Sequence, residues 1–189
     1  MTIDAVFTRF PALTTNRLHL RQIRPADAEA FFAIKSDQEV TRHYGQEPHQ
    51  LLDDTRAWLQ RLQASYEQRD ALFWCLTLKG ADTVIGSCTF WNFDAGFHCA
   101  EIGYELHQAY WQQGLMAEAV AAILTCGFTE LELHRIEANP LAGNTSSRSL
   151  LLKLGFTYEG TLRQRVFFRC HFEDQEYFGL LKDEWLKRI

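Results

Sequence analysis

Gln112, Gln113 and Gly114 stand where one sequence pattern gives way to another. Glu101 to Leu106, before them, alternate as a strand does. After them, Leu115, Ala119, Ala122, Ile123 and Cys126 fall on one face at helical spacing. A helix N-terminus leaves four backbone N–H groups unpaired and carries about half a positive charge. A phosphate binds there if the backbone can come close, and glycine permits that approach because it has no Cβ. The glutamines would add amide donors without a full charge. The stretch Trp111-Gln112-Gln113-Gly114-Leu115-Met116-Ala117 therefore reads as an anion cradle, with a plain glycine turn as the alternative.

Other residues invite chemistry by type and position. Glu101 and Glu105 lie on the same face of one strand, two pleats apart. Each could move a proton or pair with Arg or Lys. Asn144 suits a helix N-cap, with Ser147 three residues on as its partner and Gly155 as the stop. Cysteine chemistry finds little support. Cys126 falls on an apolar helix face, His134 begins a strand read as buried, and Cys170-His171 sit at the tip of a predicted hairpin.

The elements that must hold these residues follow from local pattern. Arg17–Ile23 alternates, with Leu18 and Leu20 facing one way and Arg17, His19 and Arg21 the other. Pro25 suits the first turn of a following helix, and Asp27 and Glu29 favour its positive end. Residues 50–68 have helical spacing. Residues 72–78 and 83–93 read as strands of an antiparallel hairpin joined by Lys79-Gly80-Ala81-Asp82. A third strand covers 100–106, then the helix from Gly114, a short strand at 134–139 that carries Asn139, and the helix from Asn144. The last 34 residues, from Phe156, look mainly β, with a second hairpin. Asn139 in mid-strand is an odd choice by β propensity, which favours a functional role. The order is a mixed α/β sheet flanked by helices.

The totals narrow the class. A chain of 189 residues with 47% hydrophobic content fits one domain, with no internal repeat or linker. A net charge of −5 and a pI near 5.8 argue against a nucleic-acid binder. Five cysteines without C-x-x-C spacing suggest reduced thiols in a cytoplasmic protein and no structural zinc. No stretch approaches the ~18 apolar residues of a membrane span. Heptads are missing too.

Three ordered stretches resemble the GCN5-related N-acetyltransferase (GNAT) superfamily, and within it the ribosomal-protein N-terminal-alanine acetyltransferases. They are Thr15–Asp27 (TNRLHLRQIRPAD), Trp111–Ala119 (WQQGLMAEA) and His134–Phe156, which opens HRIEANPLAGNTSS. Together they cover Thr15 to about Gly160. The superfamily cradle is Arg/Gln-x-x-Gly-x-Gly/Ala. Here Gly114 holds its place, while Trp111 and Met116 depart from it. The resemblance implies a mostly antiparallel sheet whose fourth and fifth strands splay, with acetyl-CoA in the cleft and its diphosphate at Gln112–Ala117. It implies an oxyanion donor from the backbone of Tyr104-Glu105-Leu106 and a base at Glu101 or Glu105, with Glu137 a further possibility. Many relatives place a tyrosine on the helix after the fifth strand. Ser147 stands there in this chain, either to stabilise the leaving thiolate or only as a cap partner. Asn139 and Asn144 would hydrogen-bond pantetheine amides across the cleft.

By the same resemblance the acceptor is an N-terminal alanine or serine of a protein, and the alternative is a small amine. The resemblance also implies a monomer or a homodimer. Phe31, Phe32, Tyr44, Trp58 and Trp91 could line its cleft, with the loop Asp37–Gln50 setting specificity. A non-catalytic acyl-CoA-binding module is the rival from another class, and a structural domain that does not bind CoA is a third reading.

Overall fold

The positions of the apolar residues place a sheet at the centre of the chain, and a computed structural model places it there. It describes residues 3–189 other than 44, 95 and 97, with residues 3–5 described by backbone alone. The strands are β1 (Leu13–Thr14), β2 (Leu18–Gln22), β3 (Leu72–Leu78), β4 (Val84–Asp94), β5 (Cys99–Leu106), β6 (Arg135–Ala138), β7 (Thr157–Phe168) and β8 (His171–Leu181). The helices are α1 (Ile3–Thr8), α2 (Ala28–Lys35), α3 (Gln38–Thr41), α4 (Leu52–Glu67), α5 (Leu115–Thr129), α6 (Thr145–Leu154) and α7 (Lys182–Leu186).

All eight strands join one sheet in the order β1-β2-β3-β4-β5-β6-β8-β7. Every neighbouring pair is antiparallel except β5–β6. The mixed α/β sheet expected from the pattern is present, mostly antiparallel as the resemblance implied, and β8 lies between β6 and β7. Each face carries its own core. On one, Leu20, Trp74, Phe90 and Ile102 pack with Ala119, Ile123 and Phe128 of α5, Leu151 of α6 and Trp185 of α7. On the other, Phe73, Cys75 and Val84 pack with Phe31 and Ile34 of α2, Val40 of α3 and Leu59 of α4.

The sheet opens between β5 and β6. They pair only at Cys99–Arg135, Ala100–Ile136 and Glu101–Glu137. β6 then stops at Ala138, two residues before Pro140, which has no N–H to continue a ladder. The strands read from sequence as fourth and fifth are β5 and β6, and from Ile102 onward β5 has no β6 partner. His107 N–H donates to Ile85 O on the β4 side. Strand amides alternate in direction, so those of Leu106 and Tyr104 point into the gap.

Three local expectations change. Arg21 is 4% exposed instead of facing solvent. Its guanidinium meets both Asp27 oxygens at 2.9 and 2.7 Å, so Asp27 serves a buried ion pair. His134 is exposed, although the strand it precedes is half buried. Asn139 stands just past the end of β6, not within it, so strand propensity says nothing about it.

Candidate active site

The loop before α5 folds as an anion site requires. A 3₁₀ turn at Gln108–Tyr110 leads into Trp111, whose indole Nε1 donates to Leu106 O at 2.7 Å. Gln112 has φ 58° and Gly114 φ 74°, both left-handed, and only glycine takes that shape without cost. The helix then starts at Leu115, and the first helix-type bond on this side is Glu118 N–H to Gly114 O at 3.1 Å. Among the described residues the amides of Gly114, Leu115, Met116 and Ala117 have no acceptor on the chain. Four unsatisfied donors at a left-handed glycine fit a diphosphate. Gln112 lines the adjoining cleft. Gln113 does not offer its side chain as expected, because its Nε2 donates back to Ala109 O at 2.9 Å.

That cleft, about 670 Å³, runs from the cradle along the gap in the sheet. It brings together Tyr104, Leu106, Gln112, Gly114, Leu115, Met116, Ala117, Asn144 and Ser147. The arm of acetyl-CoA would lie here, its amides against the open edge of β5 and its diphosphate on Gly114–Ala117.

A second cavity, about 520 Å³, lies on the α2/α4 side. It takes Glu101, Glu105 and Asn139, together with Lys35, Trp58 and Trp91. The two cavities meet at Tyr104, Glu105, Asn144, Ser147 and His43, which line both.

The carboxylates in this second cavity differ sharply. Glu105 is buried, accepts from Ser87 Oγ at 2.9 Å and pairs with Lys35 Nζ at 2.6 Å. Lys35 Nζ also stands 4.4 Å from the Trp58 ring centre. Glu105, a candidate base by sequence, is thus tied into an ion pair. Glu101 has amide neighbours: Asn92 Nδ2 donates to it at 3.0 Å, and Asn139 lines the same cavity. Asn92 reaches it from a left-handed break in β4, at φ 50°. Burial pushes the Glu101 carboxyl above the usual range, the two amides pull it back in part, and Glu137 adds to the rise. Glu137, the third candidate, is engaged by Arg135 Nε at 2.7 Å.

At the junction, Tyr104 OH and Ser147 Oγ are 2.7 Å apart. The sequence shows no tyrosine on α6, but β5 sends one to the same place. Burial raises the Tyr104 phenol and the Ser147 bond offsets part of that, so the group stays protonated at neutral pH. Asn144 caps α6 by accepting from the main-chain N–H of Ser147 at 3.0 Å. The serine hydroxyl is not part of that cap and is available to Tyr104. The cap therefore leaves the Ser147 hydroxyl to the bond with Tyr104.

Asn139 lies in the second cavity, beside Glu101, and not across the first. Its Oδ1 is buried with no partner among the described residues, a costly state that a donor from a bound molecule would relieve. Of the aromatics expected here, Trp58 and Trp91 line the cavity. Phe31 is wholly buried against Trp58 and Phe73. Phe32 lines neither cavity. Tyr44 lies outside the described residues. The loop Asp37–Gln50 borders both cavities through Glu39, His43 and Gln46, while Glu47 pairs with Arg169.

Lys35 and the Tyr104 hydroxyl escaped sequence reasoning. Alternation along β5 does put Tyr104 opposite Glu101 and Glu105, which was the available signal. Nothing local signals Lys35. The cysteines stay outside this chemistry: Cys75, Cys88 and Cys126 are buried, and burial pushes the Cys126 thiol up to about 12. Cys99 is half-buried and Cys170 exposed. Among the described residues no His, Cys, Asp or Glu cluster could hold a metal, and no helix is long and apolar enough to cross a membrane.

Comparison with known proteins agrees with this layout. The family model for the acetyltransferase (GNAT) domain matches residues 17–157. The uncharacterized N-acetyltransferase YoaA of Bacillus subtilis is 36% identical, over 92% of this chain and 98% of its own. The ribosomal protein uS5 alanine N-acetyltransferase of Escherichia coli is 27% identical, over 92% of each chain. A GNAT-family acetyltransferase structure from Bacillus anthracis superposes with a TM-score of 0.82 at 27% identity, covering 92% of this chain and all of its own. Enzymes of this family take their acetyl group from acetyl-CoA, and the open sheet, the free amides at Gly114–Ala117 and the matched sequence agree that this chain belongs to the GNAT acetyltransferases.

Proposed function

We propose that this acetyltransferase acts on the α-amine of a polypeptide N-terminus, with alanine or serine first, through direct attack and a tetrahedral intermediate. The observation that carries the reading is the junction at Tyr104 and Ser147, where the cofactor cleft opens into a cavity holding one carboxylate with amide neighbours. That carboxylate is Glu101, and among the described residues no cation pairs with it. One such carboxylate beside Trp91 suits a single ammonium. A polyamine would leave further charges without partners. An α-amine has a pKa near 8, so deprotonation asks little of Glu101.

The residues divide the work as follows. Glu101, with its raised carboxyl, takes the amine proton, directly or through water. Asn139 Oδ1 accepts from the amine and orients its lone pair. The amides of Tyr104 and Leu106 face the gap where the oxyanion develops, and one such donor is worth ~3 kcal/mol. Tyr104, held by Ser147, donates a hydrogen bond to the departing thiolate. A full proton transfer from a raised phenol to a thiolate whose conjugate thiol has a pKa of ~8.5 would run uphill. The phenol therefore stabilises the thiolate, and the proton comes finally from the amine. Residues 1–189 would form a single domain, with its core at about 15–182, and act in the cytoplasm.

Thiol release from acetyl-CoA, with product masses, tests the reading. Ala- and Ser-starting peptides would be compared with amino acids, polyamines and aminoglycosides. Preference for the peptides by tenfold or more in kcat/KM is expected. Preference for a small amine would replace the acceptor and keep the chemistry. CoA binding with no acetylated product in any arm would favour a non-catalytic acyl-CoA module.

A further inference from the structure

The cradle owes its shape to a segment far away in the chain. Arg17, just before β2, reaches the first turn of α5 and the loop before it with three donors. Its main-chain N–H donates to Glu118 Oε1 at 2.8 Å, and its Nε to Glu118 Oε2 at 2.6 Å. Its Nη1 donates to Gln113 O at 2.9 Å. Thr15 Oγ1 adds a bond to Glu118 Oε1 at 2.5 Å. Arg17 Nη2 lies 3.6 Å from where a Cβ on Gly114 would sit.

We propose that Arg17 and Glu118 form a clamp that fixes the diphosphate cradle, making Arg17 a positioning residue for acetyl-CoA. The inference rests on the cradle's role as the cofactor site. A trans peptide unit is planar, with its C=O and N–H pointing opposite ways. Holding Gln113 O against Arg17 therefore turns the Gly114 N–H away from Arg17, out of the loop. That amide is the first of the four free donors. Without the tie, the left-handed run at Gln112 and Gly114 could rotate and scatter them.

Glu118 completes the device. It stands in the first turn of α5, where a bare carboxylate would compete with phosphate for the positive helix end. Burial pushes its carboxyl up, but the bonds from Thr15 and Arg17 more than offset this and hold it below the usual range. With its charge matched by Glu118, Arg17 works by geometry. A second cation that merely attracted phosphate would need no such partner.

The test compares Arg17→Lys, Arg17→Met and Glu118→Gln with the unmodified chain. CoA affinity is measured by calorimetry, and kcat/KM with acetyl-CoA and with acetyl-pantetheine, a donor without the diphosphate. The clamp predicts that all three variants weaken CoA binding about tenfold, the loss expected for one charge-assisted hydrogen bond. Acetyl-pantetheine turnover should change less than twofold. Lysine keeps the charge but lacks the planar fork whose separate nitrogens meet Glu118 and Gln113 O, so Arg17→Lys should not rescue. Rescue by lysine would overturn the clamp in favour of simple charge. A parallel fall with acetyl-pantetheine would reduce Arg17 to general structural support, and unchanged CoA affinity would also overturn the proposal. Failure of the unmodified chain to bind CoA would instead remove the cofactor site on which the clamp depends.

Discussion

Glu101 and Tyr104 are three residues apart on β5 and face opposite sides of the sheet, so one strand sends side chains to both cavities. Glu101→Gln keeps the hydrogen-bonding shape and removes the proton acceptor. A loss of about 10²-fold in kcat/KM is expected, the typical worth of general-base help. The pH profile is the sharper check. Since the folded Glu101 carboxyl is raised, its limb lies above the ordinary carboxylate range, with activity falling as pH drops through it. The variant should keep only the limb of the amine itself, and an identical acid limb in both proteins would clear Glu101 of the role. Tyr104→Phe should lower kcat about tenfold, within what a hydrogen bond to a charged group supplies, and leave CoA affinity within twofold. Ser147→Ala should also lower kcat while unfolding at the same denaturant midpoint, because the α6 cap uses the Ser147 main chain. A matching loss of stability would mean that the hydroxyl serves the helix after all.

The elements set how far these side chains can be trusted to stay in place. Asn144→Ala should cost about 1 kcal/mol in chemical denaturation, as N-cap losses do, and should reduce activity further because Ser147 loses its anchor. At Gly103 a Cβ would sit 2.6 Å from the Trp91 ring. Gly103→Ala should therefore push Trp91 aside, raise the acceptor KM and spare the Kd for CoA. Equal effects on both would place Trp91 outside acceptor recognition. Elements with local signatures were readable from sequence: α4 from its period, the β3–β4 hairpin from its turn, α6 from Asn144 and Gly155. The short α1 and α7 carry too little pattern to declare themselves. The place of β8 between β6 and β7 is set by long-range pairing, as is the burial of Arg21 through Asp27. In the site, Gly114 was legible because backbone conformation is a local property. The contact of Tyr104 with Ser147 joins residues 43 apart across a gap in the sheet, and the Lys35–Glu105 pair joins α2 to β5. No pattern within either segment encodes such a meeting.

Across the whole molecule, the opening between β5 and β6 is a weakness in the sheet that the cofactor would repair. Half of β5 has unpaired amides on that side, and β6 gives only three register pairs before it ends. The two walls of the cleft belong to different segments, β5 with α5 on one side and the first turn of α6 on the other. Tyr104 and Ser147 hydrogen-bond across the junction, and Leu151 of α6 packs in the same core as Ala119 and Ile123 of α5. A ligand with its arm along β5 and its diphosphate on α5 would tie these parts together in the folded state only. At 100 times its dissociation constant, acetyl-CoA should then stabilise the fold by ~2.7 kcal/mol, seen as an upward shift in Tm. Because the added contacts are local to the gap, the shift should come with slower amide exchange at Tyr104, Leu106 and Gly114–Ala117. The α4 face should change little. A Tm shift without protection at those amides would place the bound CoA elsewhere, and the cleft would lose its claim to be the site where transfer occurs.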